Sequence, residues 1–383
     1  MSSLKHIIYR LKVSAKKVKD FLFPFVYTNY NSDKWIYISY LTEPFRRKDN
    51  LVFLNGHQNR REILVLSNIL NDLKISYDIT DHNCFLKNKK NYDFIFGIEP
   101  GFEKASLKNK SALKIYYATG AYYTHQNNEV IRKTDHFKKK WNVKYPYYRL
   151  VKKHNSCEIA DYIIQIGSKF TVETYPEHLR KKIFLVNQST PEIFKFNLED
   201  KIKNTSRDNY IWLGGGGTLL KGLDLVFDYF FQNKNLKLHV VGDIDFEFME
   251  IYRDKIIASE NIYLYGFQNI DDEKFYNIVK ECCFIIYPSS SEGGAPGSVL
   301  TLQKYGLIPI VSKYASMDDI NSLGFQIPTI DMSGIKMGIN WSLGLNNNEI
   351  EKLMLQNYEY VTANFTLEGY KTAMSSLFNK LLS

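Results

Sequence analysis

Four consecutive glycines, Gly214 to Gly217, run into Thr218-Leu219-Leu220-Lys221-Gly222-Leu223-Asp224, directly after the apolar run Asn209–Leu213. Glycines let backbone N–H groups approach an anion closely, and the start of a following helix adds positive potential. Lys221 adds a full charge suited to a diphosphate. The spacing is not that of a Walker A loop, because Gly rather than Ser or Thr follows Lys221. Nor is it the G-x-G-x-x-G turn of a dinucleotide fold with its later acidic residue. The plain alternative is a Gly-rich surface turn.

A second stretch repeats the order of strand, loop and helix: Tyr287-Pro288-Ser289-Ser290-Ser291-Glu292-Gly293-Gly294-Ala295-Pro296-Gly297-Ser298. Its small residues keep the loop free of bulk. The amides of Gly297, Ser298 and Val299 would open a helix, a position suited to phosphate. Glu292 stands at the loop entrance, where a carboxylate can accept hydrogen bonds from sugar hydroxyls. The alternative is a structural turn with Glu292 as a solvated charge. Two such loops at the C-terminal ends of parallel strands carry more weight than either alone, since ligands in open α/β sheets bind there.

Other chemistry-bearing groups are sparser. His57 precedes a helix and His125 follows the strand ending near Ala118, so both fall in loops that would face a cleft; each competes with an ordinary surface or buried histidine. Asp243-Ile244-Asp245 has the D-x-D spacing of metal-binding pairs, and Asp271-Asp272-Glu273 reads as a helix N-terminal cluster. Cys84, Cys157, Cys282 and Cys283 form neither a disulfide framework nor a C-x-x-C site, which fits a reducing compartment. The net charge of +9 favours anionic partners. The basic residues are scattered, without zinc-finger spacing or an RNA-binding aromatic signature, so nucleic acid is not an expected partner. The 28 tyrosines suit wet clefts and sugar faces, but they accompany abundant Lys, Asn and Ile, the mark of a compositional bias.

The elements that must position these groups follow from periodicity. Residues 1–30 form a basic amphipathic segment: Leu4, Ile7, Ile8, Leu11, Ala15, Val18 and Leu22 recur at helical spacing among lysines, and Phe21, Phe23 and Phe25 follow. Residues 1–25 suit either an anionic membrane surface or a helix packed on the protein with a solvated basic face. No stretch approaches the roughly 18 apolar residues of a membrane span, and lysines and arginines interrupt every N-terminal apolar run, so no signal peptide is read there. Alternating strands and helices over 31–196 predict a Rossmann-like domain, and the polar stretch 197–208 a linker. A second such domain covers 209–365, and a terminal helix 366–383 can cross back to the first. The expected fold is α/β, two Rossmann-like domains facing a cleft.

The run Ile211 to Ser312 resembles the C-terminal domain of GT-B glycosyltransferases, especially glycosyltransferase family 4. There a strand leads into G-R-x-x-x-x-K-G, then come a V-G turn, P-S-x-x-E-G-F-G-x-x-x-x-E-A and a G-x-P-V-V strand. Here stand Gly215 to Gly222 with Lys221, Val241-Gly242, Pro288-Ser289, Glu292-Gly293-Gly294 and Gly306-Leu307-Ile308-Pro309-Ile310-Val311. Two departures stand out. The family's Arg falls at about Gly216, and its second Glu, which holds the nucleotide ribose, falls at Thr301 after a one-residue insertion. Asn55-Gly56-His57-Gln58-Asn59-Arg60-Arg61-Glu62, Lys114 to Gly120 and Ala160-Asp161-Tyr162 through Thr171 are similar to bacterial transferases of surface polysaccharide clusters.

The resemblance implies a retaining transferase moving a hexose-type sugar from a nucleotide-diphosphate donor to a glycan or lipid-linked acceptor. It implies no cofactor and no obligatory metal. Donor binding falls to Gly215, Gly216, Gly217, Lys221, Glu292, Gly293, Gly294, Gly297, Ser298, Val299 and Thr301. Catalytic roles go to Lys221 and Glu292, with His125 as a further candidate, and the acceptor side to His57, Asn59 and Tyr122. A cytoplasmic protein, peripheral on the membrane's cytoplasmic face, is the expected setting. The rival is a non-catalytic sugar-nucleotide-binding subunit of the same fold, favoured by the two departures and opposed by Lys221 and Glu292.

Overall fold

A computed structural model describes residues 25–84 and 90–382. Most of the basic amphipathic segment, residues 1–24, lies outside the described residues.

The first domain is a seven-stranded sheet in the order β1-β3-β2-β4-β5-β6-β7. Its strands are β1 (Val26–Asn29), β2 (Trp35–Tyr40), β3 (Ser76–Asp81), β4 (Phe94–Gly97), β5 (Leu113–Ala118), β6 (Tyr162–Ile166) and β7 (Ile183–Val186). All pairs are parallel except β1 with β3. The antiparallel β1 escapes the sequence pattern because it is a short edge strand with only partial burial.

The second sheet runs β10-β9-β8-β11-β12-β13, parallel throughout. Its strands are β8 (Ser206–Leu213), β9 (Lys237–Val241), β10 (Ile262–Leu264), β11 (Cys282–Tyr287), β12 (Ile308–Ser312) and β13 (Phe325–Ile327). Every residue of β11 and β12 is buried, as sheets covered on both faces require. All four cysteines are buried too, and desolvation pushes the thiols of Cys157, Cys282 and Cys283 up to about 12.

Three features differ from the sequence pattern or extend it. Residues 198–204 form a helix capped by Asn197, whose side chain accepts the Asp200 amide, and Ser206 already begins β8. The irregular crossing between domains is therefore 187–197 rather than 197–208. Second, the helix α1 (Tyr123–Trp141), inserted between β5 and β6, was not evident in the sequence, because its lysines and polar residues leave few apolar positions. It leaves the first domain: Phe137, with Tyr145 beyond the helix, joins the second domain's core among Phe227, Phe248 and Tyr252. Third, the last helix, α2 (Leu367–Leu382), packs Tyr370, Met374, Phe378 and Leu382 into the first domain's core. The Tyr370 and Tyr117 hydroxyls meet there at 3.0 Å. No helix among the described residues is long and apolar enough to cross a membrane.

Candidate functional site

β8 and β11 lie side by side at the centre of the second sheet, where the strand order reverses. The crevice outside such a switch point is where ligands bind in open α/β sheets. The two glycine-containing loops leave from these two strands and are tied to each other. Ser290 N and Ser289 Oγ donate to the Leu220 carbonyl at 2.9 and 3.3 Å, and Trp212 Nε1 donates to the Lys221 carbonyl at 3.3 Å. Gly222 makes the contact feasible. Its φ is +76°, and a Cβ there would stand 2.5 Å from the Pro288 carbonyl oxygen.

The Gly-rich loop is also gripped from the turn after β9, at the start of the helix Phe246–Ile257. Asp245 accepts the amides of Gly217 (3.1 Å) and Thr218 (2.8 Å). The D-x-D spacing at Asp243 and Asp245 thus contains a loop clamp: the Asp245 oxygens already serve backbone amides.

Between the domains lies a cavity of about 670 Å³, a size suited to a small-molecule ligand. Gly215, Gly216, Lys221, Glu292, Gly293, Gly294, Gly297, Ser298 and Thr301 line it from the second domain, and His57 and Asn59 from the first. Lys221 Nζ donates to the Gly215 carbonyl at 3.1 Å, its one hydrogen bond among the described residues. Burial holds its pKa below the usual lysine value, with Glu292 opposing that shift. The Glu292 carboxylate accepts Tyr287 Oη at 3.2 Å and Ser289 Oγ at 3.3 Å, so its orientation is set by β11 and its own loop. Thr301 Oγ1 donates back into its helix, to the Gly297 carbonyl at 2.7 Å, which leaves only lone pairs for a ligand. His57 lines the cavity as an exposed residue, and its Nδ1 accepts the Asn59 amide at 3.4 Å. Partial desolvation, with Arg60 and Lys221 adding to it, lowers its pKa.

Four expected residues stand elsewhere. His125 does not line the cavity: its Nε2 lies 3.2 Å from the Ser290 carbonyl and its ring packs on Tyr314, so α1 uses it to dock on the second domain. Val299 is buried in the second domain's core. Gly217 faces Arg149 and spends its amide on Asp245. Tyr122 opens onto a neighbouring cavity of about 330 Å³, which meets the first at Ile98, Thr119 and Arg149.

The structure adds wall residues that pattern did not single out. Tyr40 and Glu62 come from the first domain, Gln188 from the crossing, and Arg149 and Phe267 from loops. Glu62 is buried, accepts Ser189 N (2.7 Å) and Oγ (2.9 Å), and has its pKa raised to about 7 by desolvation. Only the paired register of Glu62 with buried Ile63 and Leu66 on a helix (Gln58–Asp72) places it inward, a signal that its charge obscures. Phe267 leaves 67% of its surface open, an unusual degree for a large ring on a cavity wall. The domains are bridged across this site by Gln58 Nε2 to Gln188 Oε1 (2.8 Å) and Gln188 Nε2 to the Ala295 carbonyl (2.9 Å). Asn55 Nδ2 also donates to Asp271 at 2.9 Å.

No family model and no curated protein sequence matches the chain. Solved structures do. The chain is similar to Anabaena HepE in complex with UDP and glucose: TM-score 0.54, 11% identity, 91% of this chain and 100% of that one. It is similar to WaaG, a glycosyltransferase involved in lipopolysaccharide biosynthesis (TM-score 0.51, 12% identity, 88% and 98% covered). It is similar also to the lipopolysaccharide outer core galactosyltransferase WaaB (TM-score 0.50, 15% identity, 90% and 99% covered). The fold of the chain is the GT-B fold of these glycosyltransferases, two parallel-sheet domains facing a cleft.

Proposed function

We propose that this GT-B protein is a glycosyltransferase of the family 4 type, which moves a hexose from a nucleotide-diphosphate donor to a glycan or lipid-linked acceptor in surface polysaccharide synthesis. One observation carries the reading. Lys221 and Glu292 stand on the same cavity wall, on two interlocked loops at the switch point of the second sheet. A cation beside loop amides suits a leaving diphosphate, and a carboxylate fixed by Tyr287 and Ser289 suits the hydroxyls of the sugar attached to it. The same-fold HepE was crystallised with UDP and glucose, which supports a donor of that class. Phe267 offers an open ring face to a nucleobase, and the Thr301 lone pairs stand where a ribose hydroxyl can donate.

In this reading the bond from the sugar's anomeric carbon to the diphosphate oxygen breaks as the acceptor oxygen bonds the same carbon from the same face. The acceptor's proton passes to the departing phosphate oxygen, and configuration is retained. Charge develops on the diphosphate beside Lys221, so the reaction needs neither an obligatory metal nor a protein general base. The acceptor sits against the first domain at His57 and Asn59, with Tyr122 in the adjoining cavity. The protein works in the cytoplasm, and residues 1–25 hold it on anionic membrane.

The test is a thermal-shift screen against UDP-, GDP-, ADP- and dTDP-sugars, followed by radiolabelled donor hydrolysis and transfer. Stabilisation by one donor together with release of its sugar is expected. Binding without any turnover would leave a sugar-nucleotide-binding subunit instead, and no binding at all would remove the donor site.

A further inference from the structure

Arg149 lies on the wall shared by both cavities, yet nothing in its sequence neighbourhood marks it. Its backbone has φ +70°, a conformation uncommon for a residue with a long side chain. The turn that holds it there is heavily bonded. Gln126 Nε2 donates to the Arg149 carbonyl at 2.7 Å, and the Asn127 side chain makes two bonds of 2.8 Å with the backbone of Val151. Both anchors sit on α1, the helix that docks on the second domain through Phe137 and His125.

The result is a side chain laid across the Gly-rich loop. A Cβ on Gly217 would come 2.5 Å from Arg149 Cγ and 3.0 Å from Cδ, so the stem rests on the glycine's bare α-carbon. Among the described residues the guanidinium enters no ion pair and makes no hydrogen bond, although its charge is felt at Lys221 on the first donor loop and at Tyr287, where β11 meets the second. Two carboxylates by the Gly-rich loop and the cavity are already engaged: Asp245 with loop amides, Glu292 with two hydroxyls. Gly216, which has no side chain to offer, lies in the same wall.

We propose that Arg149 supplies the second cation of the donor's diphosphate site, so that the diphosphate is held between Lys221 and a guanidinium delivered by the excursion from the first half of the chain. The planar fork of arginine matches phosphate oxygens in pairs, where Lys221 contributes a point charge. The proposal rests on the donor reading above and adds a residue to it. It also gives α1 a purpose: through Gln126 and Asn127 the helix anchors the turn that brings a second cation to a loop whose own sequence supplies only Lys221.

The experiment is calorimetric titration of UDP, GDP, ADP and dTDP into the full chain and three variants, Arg149→Gly, Lys221→Ala and the double variant Arg149→Gly/Gly216→Arg. Glycine is chosen at 149 because it holds φ +70° without strain. Position 216 has room, since an added Cβ would meet only Asp245 Oδ1, at 3.5 Å. Arg149→Gly should weaken the best diphosphate on the order of tenfold or more, with Tm within a few degrees of wild type, and Gly216→Arg should recover most of the loss. Wild-type affinity in Arg149→Gly, alongside weakened binding in Lys221→Ala, would overturn the role of Arg149 and leave the donor site standing. Weakened binding without recovery in the double variant would assign Arg149 to loop structure and overturn the proposal as well. If wild type binds none of the four diphosphates, the donor reading falls and takes this proposal with it.

Discussion

Asp245 and Thr218 hold each other by their backbones: the Asp245 carboxylate accepts the Thr218 amide at 2.8 Å, and the Asp245 amide donates to Thr218 Oγ1 at 3.0 Å. This reciprocal pair joins the turn after β9 to the Gly-rich loop. Asp245→Ala should therefore loosen the loop and lower stability by about 1–3 kcal/mol, the cost of stranding part-buried donors. If Lys221 meets the charge on the diphosphate, as proposed, transfer by the wild type should continue in excess EDTA. Activity lost in EDTA and regained with Mg²⁺ or Mn²⁺ would turn Asp243 and Asp245 into metal ligands.

Glu292→Gln keeps the shape of the side chain and removes its charge. Sugar hydroxyls would then donate to a neutral amide, a weaker acceptor by about 1 kcal/mol or more per contact. Turnover should drop at least several-fold with the fold intact by circular dichroism. A folded variant with wild-type kcat and KM would move the hexose away from this carboxylate.

Glu62 sets a pH dependence with a definite sign. Its carboxyl titrates near 7 in the folded chain against 4.5 ordinarily. Between those values the native state binds the extra proton, so the contribution is complete below 4.5 and is lost as pH rises through 7. The difference corresponds to about 3 kcal/mol in all. Glu62→Gln keeps an acceptor for Ser189 and needs no proton. The melting temperature of wild type should fall between pH 5 and pH 8 by several degrees more than that of Glu62→Gln. Parallel pH profiles would show that Glu62 ionises freely in the fold.

Residues 1–25 should carry the protein to anionic vesicles. Co-sedimentation with phosphatidylserine liposomes is expected to drop when the segment is deleted and to weaken with added salt. Equal pelleting of the full chain and the truncation would place the membrane contact elsewhere or nowhere.

How much of this was legible in the sequence depends on the kind of signal. Continuous apolar runs such as Tyr210–Leu213 and Phe284–Tyr287 announced buried parallel strands, and the loops after them carried Lys221 and Glu292 into one cavity. Position along a chain does not say which way a loop residue turns. His125 has the right chemistry and the right place in the order, yet α1 spends it on the Ser290 carbonyl. Arg149 has neither motif nor periodicity around it, and reaches the site only because Phe137 docks in the other domain's core. A helix whose burial is decided by a distant domain can make do with few apolar residues, and α1 shows how such a helix is overlooked.

The helix Leu367–Leu382 is synthesised after everything it covers. Phe378 meets Phe96 edge-on at 5.4 Å, and Tyr370 meets Tyr117, both on strands translated long before. Domains usually fold as they leave the ribosome, the N-terminal one first. Here the second sheet has its own core complete by Phe365, whereas the first sheet waits for Tyr370, Met374, Phe378 and Leu382 to close over it. The later-born domain is thus the earlier to finish. Until α2 has emerged, the nascent first domain shows an open apolar face where that helix will lie, a surface of the kind chaperones cover.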